Sequence, residues 1–406
     1  MGRVKNRVLL LLVALGIAAA SGLAFLTHAP NRLVSGNGVS LAVVVNGQDA
    51  TPSHQAIVLL SSLIPALLLV AGIFMRPRRA THLLVTAAAT LLLAGLVWLA
   101  SSHASQLASM AADSASGTTP GIERTSFGAA FWILAALSWL AASDAIGRLG
   151  LKPALRLVAS AAVIAPVLVL IATGALDQLS LLREYANRQD VFNAALLQHV
   201  QIVLASLLPA VLIGVPLGIA SVRAGGWMST LRPALFSSLN IIQTIPSIAL
   251  FGLLMAPLAL LAASVPVLAQ WGIKGVGLAP AAIALTLYSL LPVVRSTAAG
   301  LGQVPQPVID AALGMGLSPR QIFWKVEAPL ALPVFLAGLR VATVQTIGMA
   351  VVAALIGAGG FGAIMFQGLL GGALDLVLLG VVPVVAMAVV VDALLKTIAS
   401  SLVHEF

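Results

Sequence analysis

The side chains best able to do chemistry are widely spread. The six histidines, His28, His54, His82, His103, His199 and His404, form no pair at metal-ligand spacing, and cysteine is absent, which excludes a thiolate metal site and a disulfide framework. The phosphate-binding pattern G-x-x-x-x-G-K-[ST] does not occur. Gly357, Gly359, Gly360 and Gly362, in IGAGGFG, resemble a nucleotide loop only superficially. They follow an apolar helix rather than a strand and lack an acidic partner in a βαβ setting, so they read as a break and turn. The expectation is a chain that is not an enzyme: no catalytic residues, no metal, no cofactor and no ATP hydrolysis of its own.

Three polar groupings interrupt the apolar sequence. The first is DAALGMGLSPRQIFWKVEAPLALP, Asp310 to Pro333, which carries charge and helix punctuation and therefore belongs outside the bilayer. Pro305 and Pro307 precede a short helix, and glycines follow it. Ser318 then fits an N-cap, Pro319 the first helical position and Gln321 the reciprocal capping position of a second helix. That helix would place Ile322 and Val326 on one face, and Pro329 should end or kink it. The second grouping is QTIPS, with Gln243, Thr244, Pro246 and Ser247. The third comprises Thr286, Tyr288 and Ser289 together with Thr343, Gln345 and Thr346. Each admits two readings: a helix kink with hydroxyls bonded to their own backbone, or a surface lining a translocation pathway.

The elements that must position these groups are membrane helices. Of 406 residues, 60% are apolar and 8% charged, and mean hydropathy is +1.09. A soluble domain is about 25% charged. The net charge of +9 does not indicate nucleic acid, because the basic residues sit at the ends of apolar runs instead of on one polar surface. The predicted fold is an all-α polytopic membrane protein of about ten transmembrane helices in lipid. An N-terminal five-span unit covers 1–174, a linker or interfacial helix 175–198, and a five-helix C-terminal core 199–406, with the polar loop at 305–330. A retained first helix is favoured over a cleaved signal, since its apolar run of about 20 residues exceeds the usual signal core. Residues 28–55 break any long helix, and their inner part, VSLAVVVNGQ, suggests a short hairpin-like or surface segment. Residues 101–127 read as an exposed loop, 235–256 as one span, and 257–270 as re-entrant or interfacial. With both termini cytoplasmic, only Arg32, Arg124, Arg183, Arg188 and Lys274 of the 21 basic residues fall outside, as the positive-inside bias requires.

The polar loop resembles the cytoplasmic coupling loop of permease subunits of binding-protein-dependent ABC importers. That pattern runs Glu-Ala-Ala, three residues, Gly, nine residues, an aliphatic residue, any residue, Leu-Pro. Here it reads Asp310, Ala311, Ala312, Gly316, Val326, Ala328 and Pro329, with Asp for the usual Glu and Ala for the usual Leu. NIIQTIPSIALFGLL at 240–254, ALTLYSLLPVVRST at 284–297 and the stretch 338–362 resemble permeases for glycine betaine, choline and related osmoprotectants. The resemblance covers roughly 195–400. It implies a subunit of the bacterial inner membrane that couples hydrolysis by a cytoplasmic ABC ATPase dimer to alternating access. The partners implied are a second permease subunit, related or identical, and an extracytoplasmic substrate-binding protein. It also places IGAGGFG near the external mouth. Two alternatives stay open: a permease for another small solute such as an amino acid, and a membrane scaffold or regulatory protein. A lipid-modifying enzyme would need a His, Asp or Glu cluster at the membrane surface, and none is visible.

Overall fold

The computed structural model describes residues 4–31, 36–46, 56–114, 123–223 and 227–403. Arg32, His54 and His404 lie outside them. The chain divides into two units, one of Met1–Asn187 with Gly371–Asp375 and one of Arg188–Leu370 with Leu376–Phe406.

The first unit contains helices α1 (Arg7–Gly22), α2 (Leu41–Val45), α3 (Ile64–Phe74), α4 (Arg79–Ser114), α5 (Ala129–Arg148), α6 (Pro153–Ala172) and α7 (Ser180–Asn187). To the all-α membrane architecture it adds a small antiparallel sheet of β1 (Leu26–Ala29), β2 (Asn37–Val39) and β3 (Arg124–Phe127), in the order β2-β1-β3. Leu26 lies opposite Val39 on one side and Phe127 on the other. The hairpin therefore precedes the segment expected to form it. Of VSLAVVVNGQ, Val39 ends β2, Leu41–Val45 is helical, and 47–48 fall outside the described residues.

The predicted loop at 101–127 requires correction. Helix α4 continues through Ser114 and Arg124–Phe127 is a strand, while 115–122 fall outside the described residues. The polar run SSHAS does not stop the helix: two of its serines bond backward, and the third, Ser101, donates to the Ala175 carbonyl beyond α6. Ser102 Oγ donates to the Leu99 carbonyl at 3.0 Å and Ser105 Oγ to the Ser101 carbonyl at 3.0 Å.

At 16 residues, α1 falls below the length usual for a crossing. Its two ends nevertheless reach opposite ends of its neighbours. The Lys5 and Asn6 amides donate to Ile73, in the last turn of α3. Beyond its other end, the Ala24 carbonyl accepts from Ala130 in the first turn of α5. Because α3 ends where the basic Arg76–Arg79 connection begins and α5 starts beside the sheet, α1 spans the same slab as they do.

The second unit contains α8 (Gln189–Arg223), α9 (Trp227–Thr244), α10 (Ser247–Ser264), α11 (Pro266–Gln270), α12 (Leu278–Gly302), α13 (Gln306–Gly314), α14 (Pro319–Ile322), α15 (Ala328–Ala350), α16 (Phe361–Leu370) and α17 (Leu374–Val403). Its centre is α12, which packs on α8, α9, α10 and α15. The single span expected at 235–256 is two helices, because Pro246 has no N–H to donate and disfavours helical geometry at Ile245. Residues 257–264 accordingly complete α10, and only α11 remains of the expected re-entrant piece. Among the described residues nine helices are long and apolar enough to cross, and α1 supplies a tenth crossing by its placement.

A count of ten crossings predicts that Ser318 and Glu123 open on opposite sides of the membrane. In membrane vesicles of known orientation, a cysteine replacing Ser318 should be labelled from the cytoplasmic side and one replacing Glu123 from the opposite side. Labelling of both from one side would contradict the count.

Candidate functional site

The 305–330 loop is two capped helices joined by one glycine turn. Helix α13 closes with a Schellman arrangement: the Leu317 amide donates to Ala312 at 3.2 Å and the Gly316 amide to Leu313 at 2.9 Å. Gly316 stands at φ +80°, and a Cβ added there would meet nothing within 4 Å. Backbone conformation alone therefore selects glycine, and close helix approach plays no part. Asp310 is exposed and accepts from Gln306 Nε2 at 3.0 Å, Ala311 is exposed, and Ala312 is buried. The second helix carries the expected capping box, with the Ser318 amide donating to Gln321 Oε1 at 2.8 Å and the Gln321 amide to Ser318 Oγ at 3.4 Å.

Pro329 neither ends nor kinks this helix as expected. A π-helical turn, Phe323–Glu327, joins α14 directly to α15, and Pro329 sits in the first turn of α15. The widened turn bonds the Ala328 amide to Phe323, and proline is tolerated where an N–H is dispensable. The loop is thus the continuous extension of a membrane helix. Val326 is half-buried, whereas Met315 (74% exposed) and Trp324 (64%) carry apolar surface to the outside, beside the exposed Leu313.

Two side chains that sequence reasoning passed over tie this loop down. Arg223, in the last turn of α8, pairs with Glu327 at 2.7 Å, and its guanidinium lies 4.5 Å from the centroid of the Phe323 ring. The available signal was a carboxylate, Glu327, at the start of an apolar run, which needs a cationic partner to sit there.

Most of the polar residues in the core spans fasten helices to one another. Gln243 Nε2 donates to the Tyr288 carbonyl at 2.9 Å, and Tyr288 Oη donates to the Ile245 carbonyl, so the break between α9 and α10 is held against α12. Thr286 Oγ1 lies 3.0 Å from the Ser206 carbonyl on α8, and Ser289 Oγ lies 2.8 Å from Thr346 Oγ1 on α15. Thr343 and Thr346 bond back to Leu339 and Ala342 at 2.7 and 2.8 Å. Thr244, Pro246 and Gln345 are exposed and Ser247 is half-exposed. Arg340 of α15 forms an ion pair with Asp392 of α17, a partnership the separate spans did not suggest.

At the other end of this unit, a 3-10 turn, Val352–Ile356, leads into the glycine segment. Gly357, Gly359 and Gly360 have φ of +80°, +80° and +74°, and Gly362 lies against the Val351 carbonyl. Gln198 Oε1 accepts from the Gly360 amide at 2.9 Å. His199, fully buried, places Nε2 3.1 Å from the Ile347 carbonyl and its ring 5.5 Å from that of Phe361. The histidine is therefore structural. Among the described residues no His, Asp or Glu cluster could hold a metal.

The second unit is thus a multi-pass bundle with a capped, partly apolar loop between two of its spans. Residues 200–404 match the binding-protein-dependent transport system inner membrane component, and the chain belongs to that family. Residues 5–182 match the N-terminal domain of the ABC transporter permease YehY. The osmoprotectant import permease protein OsmW of Salmonella typhimurium is 38% identical over 198 residues, covering 49% of this chain and 85% of that protein. The choline transport system permease protein OpuBB of Bacillus subtilis is 37% identical over 49% of this chain and 82% of its own length. Among solved structures, the inward-facing MetNI methionine ABC transporter covers 52% of this chain and 96% of that chain at 22% identity, with a TM-score of 0.43. The chain is a multi-pass permease subunit of the bacterial inner membrane.

Replacing Ser318 with alanine removes one arm of the capping box, a loss of about 1 kcal/mol. Hydrogen exchange at the Gln321 amide should accelerate about fivefold while amides within α12 keep their protection.

Proposed function

We propose that this subunit imports glycine betaine or a related small osmoprotectant, powered by a separate cytoplasmic ATPase dimer. The observation that carries the coupling half of this reading is the loop around Gly316. Its backbone is fixed by a Schellman turn and a capping box, and it presents Leu313, Met315 and Trp324 to a partner. Exposed apolar side chains on a rigid polar loop suit insertion into a protein cleft. Asp310, Ala311, Ala312, Gly316, Ser318, Val326 and Pro329 are the proposed coupling residues, with Gly316 supplying the turn. The sequence has no phosphate loop, so ATP hydrolysis belongs to the partner.

The substrate half rests on the osmoprotectant and choline permeases that the C-terminal half resembles. A quaternary ammonium head is usually selected by an aromatic cage. With only 5% aromatic residues in this chain, that selection belongs in an extracytoplasmic binding protein that closes on the outer turn of Gly357, Gly359, Gly360 and Gly362. A second permease subunit completes the pathway. Thr244, Pro246, Ser247 and Gln345 are the lining residues favoured by exposure, while Gln243, Thr286, Tyr288 and Thr346 hold the helices that carry them and Thr343 bonds back to its own helix.

Cells lacking other osmoprotectant importers and supplied with this chain, its ATPase and its binding protein should accumulate labelled glycine betaine or choline. Uptake of an amino acid alone would reassign the substrate. In the purified complex, Gly316→Leu should abolish substrate-stimulated ATP hydrolysis at normal membrane abundance, because a branched side chain disfavours the left-handed turn by about 1–2 kcal/mol. Asp310→Ala should show a smaller defect. Wild-type hydrolysis in Gly316→Leu would remove the loop from the coupling role.

A further inference from the structure

Helices α8 and α15 run side by side against α12 and are fastened to each other near both ends. At the cytoplasmic end, Arg223 in the last turn of α8 pairs at 2.7 Å with Glu327, the residue that leads into α15, and stacks over Phe323. Near the opposite end, His199 of α8 meets the carbonyl of Ile347 of α15 at 3.1 Å. The neighbouring Gln198 then reaches past α15 and accepts from the amide of Gly360, in the outer glycine turn, at 2.9 Å. From Gln198 to Arg223 is about 25 residues, about 37 Å of helix.

The clamp at Arg223 has features that a chance surface pair lacks. Glu327 is buried and lies in a π-helical turn, a distortion that often marks functional positions. A buried carboxylate left without its cation is strongly destabilised, so Glu327 can follow the loop only if Arg223 follows too. Pro209 and Pro216 interrupt the backbone bonding of α8, which would let a free helix flex. The helix is not free. Thr286 bonds the Ser206 carbonyl before Pro209, a Cβ added at Gly214 would lie 2.7 Å from Val293, and one added at Gly218 would lie 2.6 Å from Thr297, so α8 is seated on α12 across both prolines.

We propose that Arg223 is a positioning residue that clamps the 305–330 loop to α8 through Glu327 and Phe323, and that α8 passes displacement of the loop to the outer glycine turn through Gln198. This rests on the loop being where the ATPase docks. The substrate-binding protein closes on the outer turn in the same reading, so the linkage makes ATP hydrolysis responsive to events on the far side of the membrane. No residue of the linkage touches substrate or nucleotide.

A double-mutant cycle in the reconstituted complex of permease, ATPase and binding protein tests this, reading the ratio of binding-protein-stimulated to basal ATP hydrolysis. Arg223→Gln and Gln198→Ala should each lower that ratio by at least about fivefold, the lower bound of ordinary allosteric coupling, while the ATPase still co-purifies. If both act through α8, the double variant should fall no further than the worse single variant. A double effect equal to the product of the two single effects would overturn the linkage, as would a wild-type ratio in Arg223→Gln. Should Arg223→Gln fail to insert because Glu327 is left unpaired, Arg223→Gln with Glu327→Gln removes both charges and is read in its place. Charge exchange, Arg223→Glu with Glu327→Arg, should recover part of the ratio. Failure of the docking premise looks different: Gly316→Leu would then behave as wild type. Failure of the clamp alone leaves Gly316→Leu defective and Arg223→Gln normal.

Discussion

A hydrocarbon slab supplies no hydrogen-bond partners, so each backbone amide and carbonyl inside it must be satisfied by the protein. That constraint accounts for where this chain is regular and where it is not. Hydroxyls of the core spans bond back to their own helix, as those of Thr343 and Thr346 do, or bridge to a neighbour, as that of Ser289 does to Thr346. Where the backbone leaves the helix inside the second unit, a side chain from another helix meets it. Tyr288 covers the Ile245 carbonyl at the break before Pro246, and Gln198 covers the Gly360 amide at the glycine turn.

The same constraint is relaxed in the 305–330 loop, and the loop is built differently. There the free ends of two short helices are closed by their own sequence, one by the Schellman turn at Gly316 and the other by the Ser318–Gln321 box. Neither device depends on the rest of the protein, so the loop keeps its form while its exposed side chains remain available. Its continuity with α15 through the π turn means that a force on the loop acts on a membrane helix without an intervening hinge.

The first unit solves a separate problem. Its sheet brings the chain after α1 and the chain after α4 to one place, with Phe25, Phe127 and Phe131 gathered in the core beneath it. The register that puts Leu26 opposite Phe127 also fixes the ends of α1 and α5 on the same face, which is how a 16-residue helix completes a crossing. Residues 5–182 match a different family model from the one that matches the core, the N-terminal domain of an ABC transporter permease.

Much of this was legible in the sequence because it rests on local causes. Apolar runs dictated the membrane class, and the spacing from Asp310 to Pro329 carried both the loop's resemblance and its caps, since capping is settled within four residues. The misreadings arose where a local signal competed with a partner distant in sequence or with the helix's own carbonyls. Polar SSHAS looked like an end, yet Ser102 and Ser105 bond back within α4 and Ser101 reaches the Ala175 carbonyl; Pro329 looked like a stop, yet a π turn absorbed it. Only the tertiary structure could pair Arg223 with Glu327, Arg340 with Asp392, and Gln198 with Gly360, because an ion pair or hydrogen bond between residues 52 to 162 apart in sequence depends on which helix faces meet, and packing decides that.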